Sequence, residues 1–600
     1  MILRCLLLAV ALLTFANAQK PEEGPYRLSE SERRELRTGY EQLGAWIAKL
    51  RGRYDEALLA EVEIYHKALD WLLRHEEELY NKNYLAHARR VIEDGTSRAA
   101  ELEAGRHSWT TRTGRVIRAY RSRIDGSIQP FGMVIPAGYD RRRPMRLDVI
   151  LHGRNATLSE VSFLATHGSS KTPDPQGRLE LHVFGRTNNA YRWGGEADVF
   201  EALASARSRY AVDPDRIVLR GFSMGGAGAW HLGLHYPGRW AAVEAGAGFT
   251  ETKRYARLTS LTPDQEKLLH IYDAVDYSLN AWNLPIVGYG GELDRQLQAS
   301  VNIKEQLAAE GISLDLIKAL FLVGPKTEHK WHPESKEQSE RFIKAVLENP
   351  RGIPERVRFV TYTTKYNRSH WVTIEGLERH YERAEVDARL TASGVSVRTR
   401  NVSRLRLPSQ GDIEIDGQVV TSNTGVLEKR DGRWQPASNR PALRKRHGLQ
   451  GPIDDAFMGP FLCVAPTGGS PALDRFRREY AKWMRADVPV KDASAVTEDD
   501  LRTRNLILFG TPETNPWIAK VMPRLPLSWP KEKDQLLALI YPNPLNPNRY
   551  VVLNSGHTFG ESDFKGTNAL LYPRLGDWAI LDAEGKPIRS GFFDEAWKPF

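Results

Sequence analysis

From about Leu28 to Ala104, apolar residues recur every three or four positions, the spacing of helices that each bury one face. Leu36, Tyr40, Leu43, Ile47 and Leu50 mark the first helix, with Ser29 and Ser31 as candidate N-caps. The stretches "EALLAEVEIYHKALDWLLRHEEELY" and "YLAHARRVIEDGTSRAAELEAG" mark two more, and no proline interrupts Tyr26 to Pro130. Near Trp109 the period drops to two. "RVIRAYRSRID" and "QPFGMVIPAGY" read as strands punctuated by glycine and proline. Short apolar runs then alternate with helical stretches: "RLDVILHGRN", "GRLELHVFGRTN", "EADVFEALASARSRY", "DPDRIVLRGFSMGGAGAWHLGLHYP", "WAAVEAGAG", "LPIVGYGGELD", "SVNIKEQLAAEG" and "DLIKALFLVGP". That alternation predicts a mainly parallel sheet covered on both faces.

Beyond Pro354 the pattern changes again. "RVRFVTYTTKYNRSHWVTIEG" and "AEVDARLTASGVSVRTRNVSRLRLP" are rich in Val and Thr with period-two alternation, and predict a small all-β module. From Gly448 onward, apolar runs such as "FLCVAP" and "RYVVLNSG" flank the helical "ALDRFRREYAKWMRA", which predicts a second α/β unit. The expected division is a signal peptide over 1–18, a helical segment over 19–105, an α/β catalytic domain over 106–349, a β-rich module over 350–441 and a C-terminal α/β module over 442–600.

Composition changes this picture little. Hydrophobic content of 41% and charged content of 26% are ordinary for a folded chain. The net charge of +9 is spread out, and clusters such as Arg141-Arg142-Arg143 and Arg444-Lys445-Arg446 read as solvated loops. No basic, aromatic-interleaved module accompanies them, which argues against a nucleic-acid partner. "MILRCLLLAVALLTFANAQK" has an early Arg4, an apolar run from Leu6 to Phe15 and small residues at Ala16 and Ala18. This is the layout of a signal peptide cleaved after Ala18, and it predicts export to a periplasm or the extracellular space. The run is too short to span a bilayer, and no later stretch reaches that length. Removal of the leader leaves one cysteine, Cys463, within an apolar run, so it reads as a core residue with no disulfide partner.

The chemistry concentrates around Gly221-Phe222-Ser223-Met224-Gly225, a G-x-S-x-G pattern with a strand before it and a helix after it. A serine held on a sharp strand-to-helix turn needs neighbours with little side chain, and Gly221, Gly225 and Gly226 supply them. Such a serine is a weak nucleophile without a base. In the chain order serine, acid, histidine, the acid follows a later strand: Asp294 in "GGELD" is favoured, with Glu292 in reserve, and Asp273 and Asp276 fit less well. The base follows the next strand: His329 in "GPKTEHKWHPES" is favoured, with His332 in reserve. The pair spells H-x-x-H, but no carboxylate or cysteine at ligand spacing supports a metal, and no cofactor is implied. Oxyanion donors are expected from the backbone of Met224 and from the loop His152-Gly153-Arg154. Tyr191 and Trp193 are candidates for a substrate pocket, with packing as the equal alternative and Asp198 as a helix cap.

The stretch from "LDVILHGR" through "GPKTEHKWHPES" resembles the catalytic domain of prolyl-oligopeptidase-type serine hydrolases and of secreted esterases in the α/β-hydrolase superfamily. The resemblance implies an α/β-hydrolase fold, with Ser223 as nucleophile, Asp294 as acid and His329 as base. It departs from prolyl oligopeptidases in one respect: no blade-like repeat of a β-propeller is present. The expectation is an exported serine hydrolase acting on an ester or peptide bond of a small or polymer-attached substrate, through an acyl-enzyme. The rival is a binding protein on an inactive hydrolase scaffold.

Overall fold

The computed structural model describes residues 25–168, 177–349, 352–408, 412–438 and 443–599. The expected leader lies outside them. Three helices, α1 (Glu30–Leu50), α2 (Glu56–Arg74) and α3 (Asn83–Glu103), open the described chain. The first starts at Ser29, whose side chain and that of Glu32 cap each other's backbone N–H.

An eight-stranded sheet follows. Its elements in chain order are β1 (Gly114–Arg121), β2 (Ile128–Ile135), β3 (Met145–Leu151), α4 (Glu160–His167), β4 (Leu179–Val183), α5 (Gly194–Arg209), β5 (Val212–Phe222), α6 (Met224–His235), β6 (Ala242–Gly246), α7 (Pro263–Leu269), β7 (Ile286–Gly291), α8 (Gln298–Ala309), β8 (Ala319–Gly324) and α9 (Pro333–Glu348). The strand order is β1-β2-β4-β3-β5-β6-β7-β8. β2 runs antiparallel to both of its neighbours, and every pair from β4 to β8 is parallel. This is the α/β-hydrolase fold. Alternation along the strands gives the sheet two apolar faces. Val218 and Val287 pack with Ile343 and Leu347 of α9. Ile217, Leu219, Val243 and Ile286 face the larger core.

The described residues 356–408 and 412–436 contribute two five-stranded sheets. They pack face to face over a core of their own, with Val357, Phe359, Val386 and Val397 from one sheet and Val372, Ile374, Leu405 and Leu427 from the other. The final unit carries a seven-stranded mixed sheet. Its strands Phe461–Ala465, Asn505–Leu508 and Asn546–Leu553 are parallel, and its last strands are antiparallel.

The largest core is continuous. It runs from Leu36 and Leu69 of the N-terminal helices, through the hydrolase sheet, to Cys463, Phe476 and Phe593 of the final unit. Arg485 ties the same three regions together. Its buried guanidinium donates to Glu78 before α3 and to Glu160 of α4, and Lys67 of α2 lies 3.1 Å from Glu160. One sequence expectation is corrected here. Lys445, read as part of a solvated basic loop, is fully buried and paired with Asp577. Its ammonium is taken out of water only because that carboxylate meets it.

Among the described residues no helix is long and apolar enough to cross a membrane. No group of three or more His, Cys, Asp or Glu among them is arranged to hold a metal ion.

Candidate active site

β5 delivers Ser223 to the carboxyl edge of the sheet. The serine is the residue before α6 and adopts φ 59°, ψ −123°. A non-glycine residue holds such a conformation only when its surroundings enforce it. Here they do. The Ser223 N–H donates to the Gly246 carbonyl at 2.9 Å, and its own carbonyl accepts from Ala227 at 3.0 Å. The glycines are required by contact as well as by conformation. A Cβ on Gly221 would overlap the Gly225 carbonyl, one on Gly225 the Leu151 carbonyl, and one on Gly226 the Gly246 carbonyl. The turn is therefore as tight as backbone allows.

β7 and β8 bring the other two groups. His329, in the loop after β8, has Nε2 2.8 Å from Ser223 Oγ. Its Nδ1 lies 2.7 Å from Asp294 Oδ2, in the turn after β7. A carboxylate accepts only, so Nδ1 carries the proton and Nε2 is free to accept from the serine hydroxyl. Asp294 is 5% exposed and His329 42%. The acid is thus shielded while the imidazole edge faces solvent.

The remaining sequence candidates sit as follows. Glu292 accepts the Lys326 N–H at 2.7 Å and lies outside the serine–histidine–aspartate line. His332 donates its backbone N–H to Tyr289 Oη at 2.8 Å and precedes α9. Asp273 is buried against Thr252, whose N–H and hydroxyl both donate to it, and burial pushes its pKa up to about 7. Asp276 pairs with His270 at 2.7 Å. Cys463 is fully buried.

Gly153 adjoins the nucleophile. A Cβ there would lie 3.5 Å from Ser223 Cβ and from the Phe222 carbonyl. The backbone of Met224 opens α6, where a helix leaves its first N–H groups unused. Arg154 turns away and donates to the Gly566 carbonyl at 3.0 Å. The loop is anchored from behind. The His152 ring lies 2.8 Å from the Gly153 carbonyl and 2.9 Å from the Phe184 carbonyl, and burial lowers its pKa.

Tyr191 and Trp193 do not line open space; both are buried. The Tyr191 ring fills the room left by Gly185 and Gly228, and its hydroxyl donates to the His152 carbonyl at 3.1 Å. Trp193 packs between Tyr272 and Phe559, each about 5.1 Å away between ring centres. Nor does Asp198 cap a helix. It is buried in the body of α5 and accepts from Gly185 N–H at 2.7 Å and from the Tyr120 hydroxyl. Burial pushes its pKa up to about 6.

Several contributors carry no motif. Gln296 donates its N–H to Asp294 Oδ1 at 2.9 Å, while its side-chain oxygen accepts from Gly248 at 2.9 Å. Tyr289 donates to the Lys330 carbonyl at 2.8 Å and stacks on Trp331 at 4.0 Å, which fixes the histidine loop to β7. The aromatic spacing in "EHKWH" was the only local signal for that clamp. Beside His329 opens a cleft of about 970 Å³, lined among others by Phe249, Tyr255, Leu293, Arg295 and Thr567. Thr567 comes from the final unit, and nothing near it in sequence marks it.

No family model matches the chain, and no curated protein matches it. Solved structures do resemble it weakly. A dipeptidyl aminopeptidase IV-like protein of Bacteroides ovatus is 15% identical, with a TM-score of 0.30 over 39% of this chain and 36% of that one. The chain thus spans about a third of that protein's length. The fluorophosphonate-binding serine hydrolase F of Staphylococcus aureus is 14% identical, with a TM-score of 0.30 over 39% of this chain and 97% of that one. A puromycin-hydrolysing peptidase of Mycobacterium tuberculosis is 18% identical, with a TM-score of 0.29 over 40% of each chain. Likenesses this weak carry no functional argument.

Proposed function

We propose that the protein is an exported serine hydrolase that cleaves an ester or peptide bond through an acyl-enzyme. The observation that carries this reading is the unbroken line from Ser223 Oγ to His329 Nε2 at 2.8 Å and from His329 Nδ1 to Asp294 Oδ2 at 2.7 Å. These are distances at which proton transfer and orientation operate without rearrangement. His329 takes the hydroxyl proton as Ser223 attacks the carbonyl carbon. Asp294 holds the ring in the productive tautomer and stabilises the imidazolium. The N–H groups of Met224 and of the Gly153–Arg154 loop receive the developing oxyanion. The imidazolium then gives its proton to the leaving group. Water, activated by the same ring, releases the acyl group and restores the serine. Apart from the substrate and that water, each step uses only side chains and backbone of this chain. Export rests on the leader-like first 18 residues.

A fluorophosphonate probe tests the proposal. It reacts with a serine only when that serine is activated. Adduct mapped by mass spectrometry to Ser223, absent in Ser223→Ala and strongly slowed in His329→Ala, is the expected result. Folded protein that takes up no label would overturn the reading in favour of a binding scaffold.

A further inference from the structure

The cleft beside His329 joins an apolar floor to a set of cations. Phe249 and Tyr255 lie with ring centres 4.7 Å apart at an interplanar angle of 30°, and Leu293 is 63% exposed beside them. Arg254, Arg257, Arg295 and Lys330 also line the cleft, as do Glu251, Asp294 and Glu328. The acids are mostly engaged. Asp294 serves His329 and Gln296. Glu251 accepts the backbone N–H groups of Arg254 and Tyr255 at 2.8 and 2.9 Å and lies 4.0 Å from the Arg254 guanidinium. Arg254 also donates to Asn302 at 3.1 Å. The side chains of Arg257, Arg295 and Lys330, by contrast, meet no carboxylate within ion-pair distance among the described residues. Some arginines elsewhere do find one, as Arg89 does in Glu35 and Arg74 in Asp487; what sets these three cations apart is that they converge on one cleft beside His329.

We infer that this cleft selects substrates carrying a carboxylate on an apolar arm, which Arg257, Arg295 and Lys330 receive while Phe249, Tyr255 and Leu293 hold the arm. The inference rests on the hydrolase reading and deepens it. The small positive excess, four cations against three carboxylates, suits a single negative charge better than a dianion. A cleft with a positive excess attracts negatively charged ligands in a salt-dependent way, and so small an excess belongs at the low end, roughly tenfold, of the effect of a cleft lined by one sign.

The test uses the purified full chain and two fluorophosphonates with the same alkyl arm. One arm ends in a carboxylate, the other in its methyl ester. The quantity read is the ratio of their second-order rates of labelling at Ser223. A preference of about tenfold or more for the carboxylate at low ionic strength is expected. It should collapse in 0.5 M salt, where the Debye length shrinks to roughly 4 Å, and in the triple variant Arg257→Gln, Arg295→Gln, Lys330→Gln. Misfolding of that variant would slow both probes together, whereas lost recognition slows only one. Equal labelling by the two probes at low salt overturns the inference and leaves the hydrolase reading standing. Labelling by neither overturns the hydrolase reading itself.

Discussion

The substitution Asp294→Asn separates the proposed acid from every neighbour by its chemistry alone. Asp294 Oδ1 accepts the Gln296 N–H at 2.9 Å and Oδ2 accepts the His329 Nδ1–H at 2.7 Å. The side chain is 5% exposed, so water cannot replace either partner freely. An asparagine offers one oxygen and one NH₂. The backbone amide of Gln296 can only donate, so it holds the oxygen on its side and turns the NH₂ toward Nδ1. A donor facing Nδ1 selects the tautomer protonated on Nε2, and Nε2 then cannot take the serine proton. The expected loss is about 10⁴-fold in the chemical step, or roughly 5 kcal/mol at about 1.4 kcal/mol per decade. The assay is the pseudo-first-order rate of fluorophosphonate adduct formation at Ser223, with a thermal melt to show that the variant folds. Glu292→Gln, run beside it, should keep a near-normal rate, because Glu292 only accepts an exposed loop N–H from Lys326. A folded Asp294→Asn within tenfold of the parent rate, or an equal loss in Glu292→Gln, would refute this reasoning.

Two further predictions concern stability. Arg485→Met should lower unfolding free energy by about 3–5 kcal/mol in a denaturant titration, because it leaves Glu78 without a charged partner and Glu160 with Lys67 alone; a loss under about 1 kcal/mol would refute the importance of this tie. Asp454 is fully buried, accepts from Thr558, and has its pKa raised by burial from 3.8 to about 7. A carboxyl that keeps its proton in the fold stabilises fully below its unfolded pKa, and that contribution is lost as pH rises through the folded one. Asp454→Asn should therefore flatten the decline of stability between about pH 4 and 7, and melts that decline with the parent's slope across that window would count against it.

How much of this could be read from the sequence depends on how local the cause is. The strained turn at Ser223 could, because its glycines and its flanking strand and helix lie within a dozen residues. The loops that carry Asp294 and His329 could as well, because each follows the exit of a strand that alternation already marks; that these two rather than Glu292 and His332 lie in line with Ser223 depends on the fold. Tyr191 and Trp193 could not. An aromatic near a catalytic loop reads the same whether its ring faces a cleft or fills the space beside Gly185 and Gly228, and only the packing of α5 and α6 decides. Asp198 misled for a related reason: a carboxylate near a helix start suggests a cap, yet α5 begins at Gly194 and leaves Asp198 in its body, aimed at Gly185 and Tyr120. Lys445 sat between two arginines and read as solvated, until the final unit supplied Asp577 from a distant part of the chain. The even polarity of "LRKRHG" gave no hint that its middle cation would be enclosed.

The cleft wall at Thr567 has a consequence for the life history of the molecule. A ribosome delivers the chain from its N-terminus onward. Ser223, Asp294 and His329 emerge long before Gly566, to which Arg154 is tethered, and before Ala569 and Leu571, whose carbonyls hold the Arg192 side chain. The proposed triad is therefore synthesised early, while the segment that completes the wall of its cleft is synthesised nearly last. Phe476, Phe559 and Phe593, which belong to the shared core, also lie in that late-synthesised segment. A half-made chain carries the proposed catalytic side chains before it carries either the last wall of their cleft or the last part of the core beneath them.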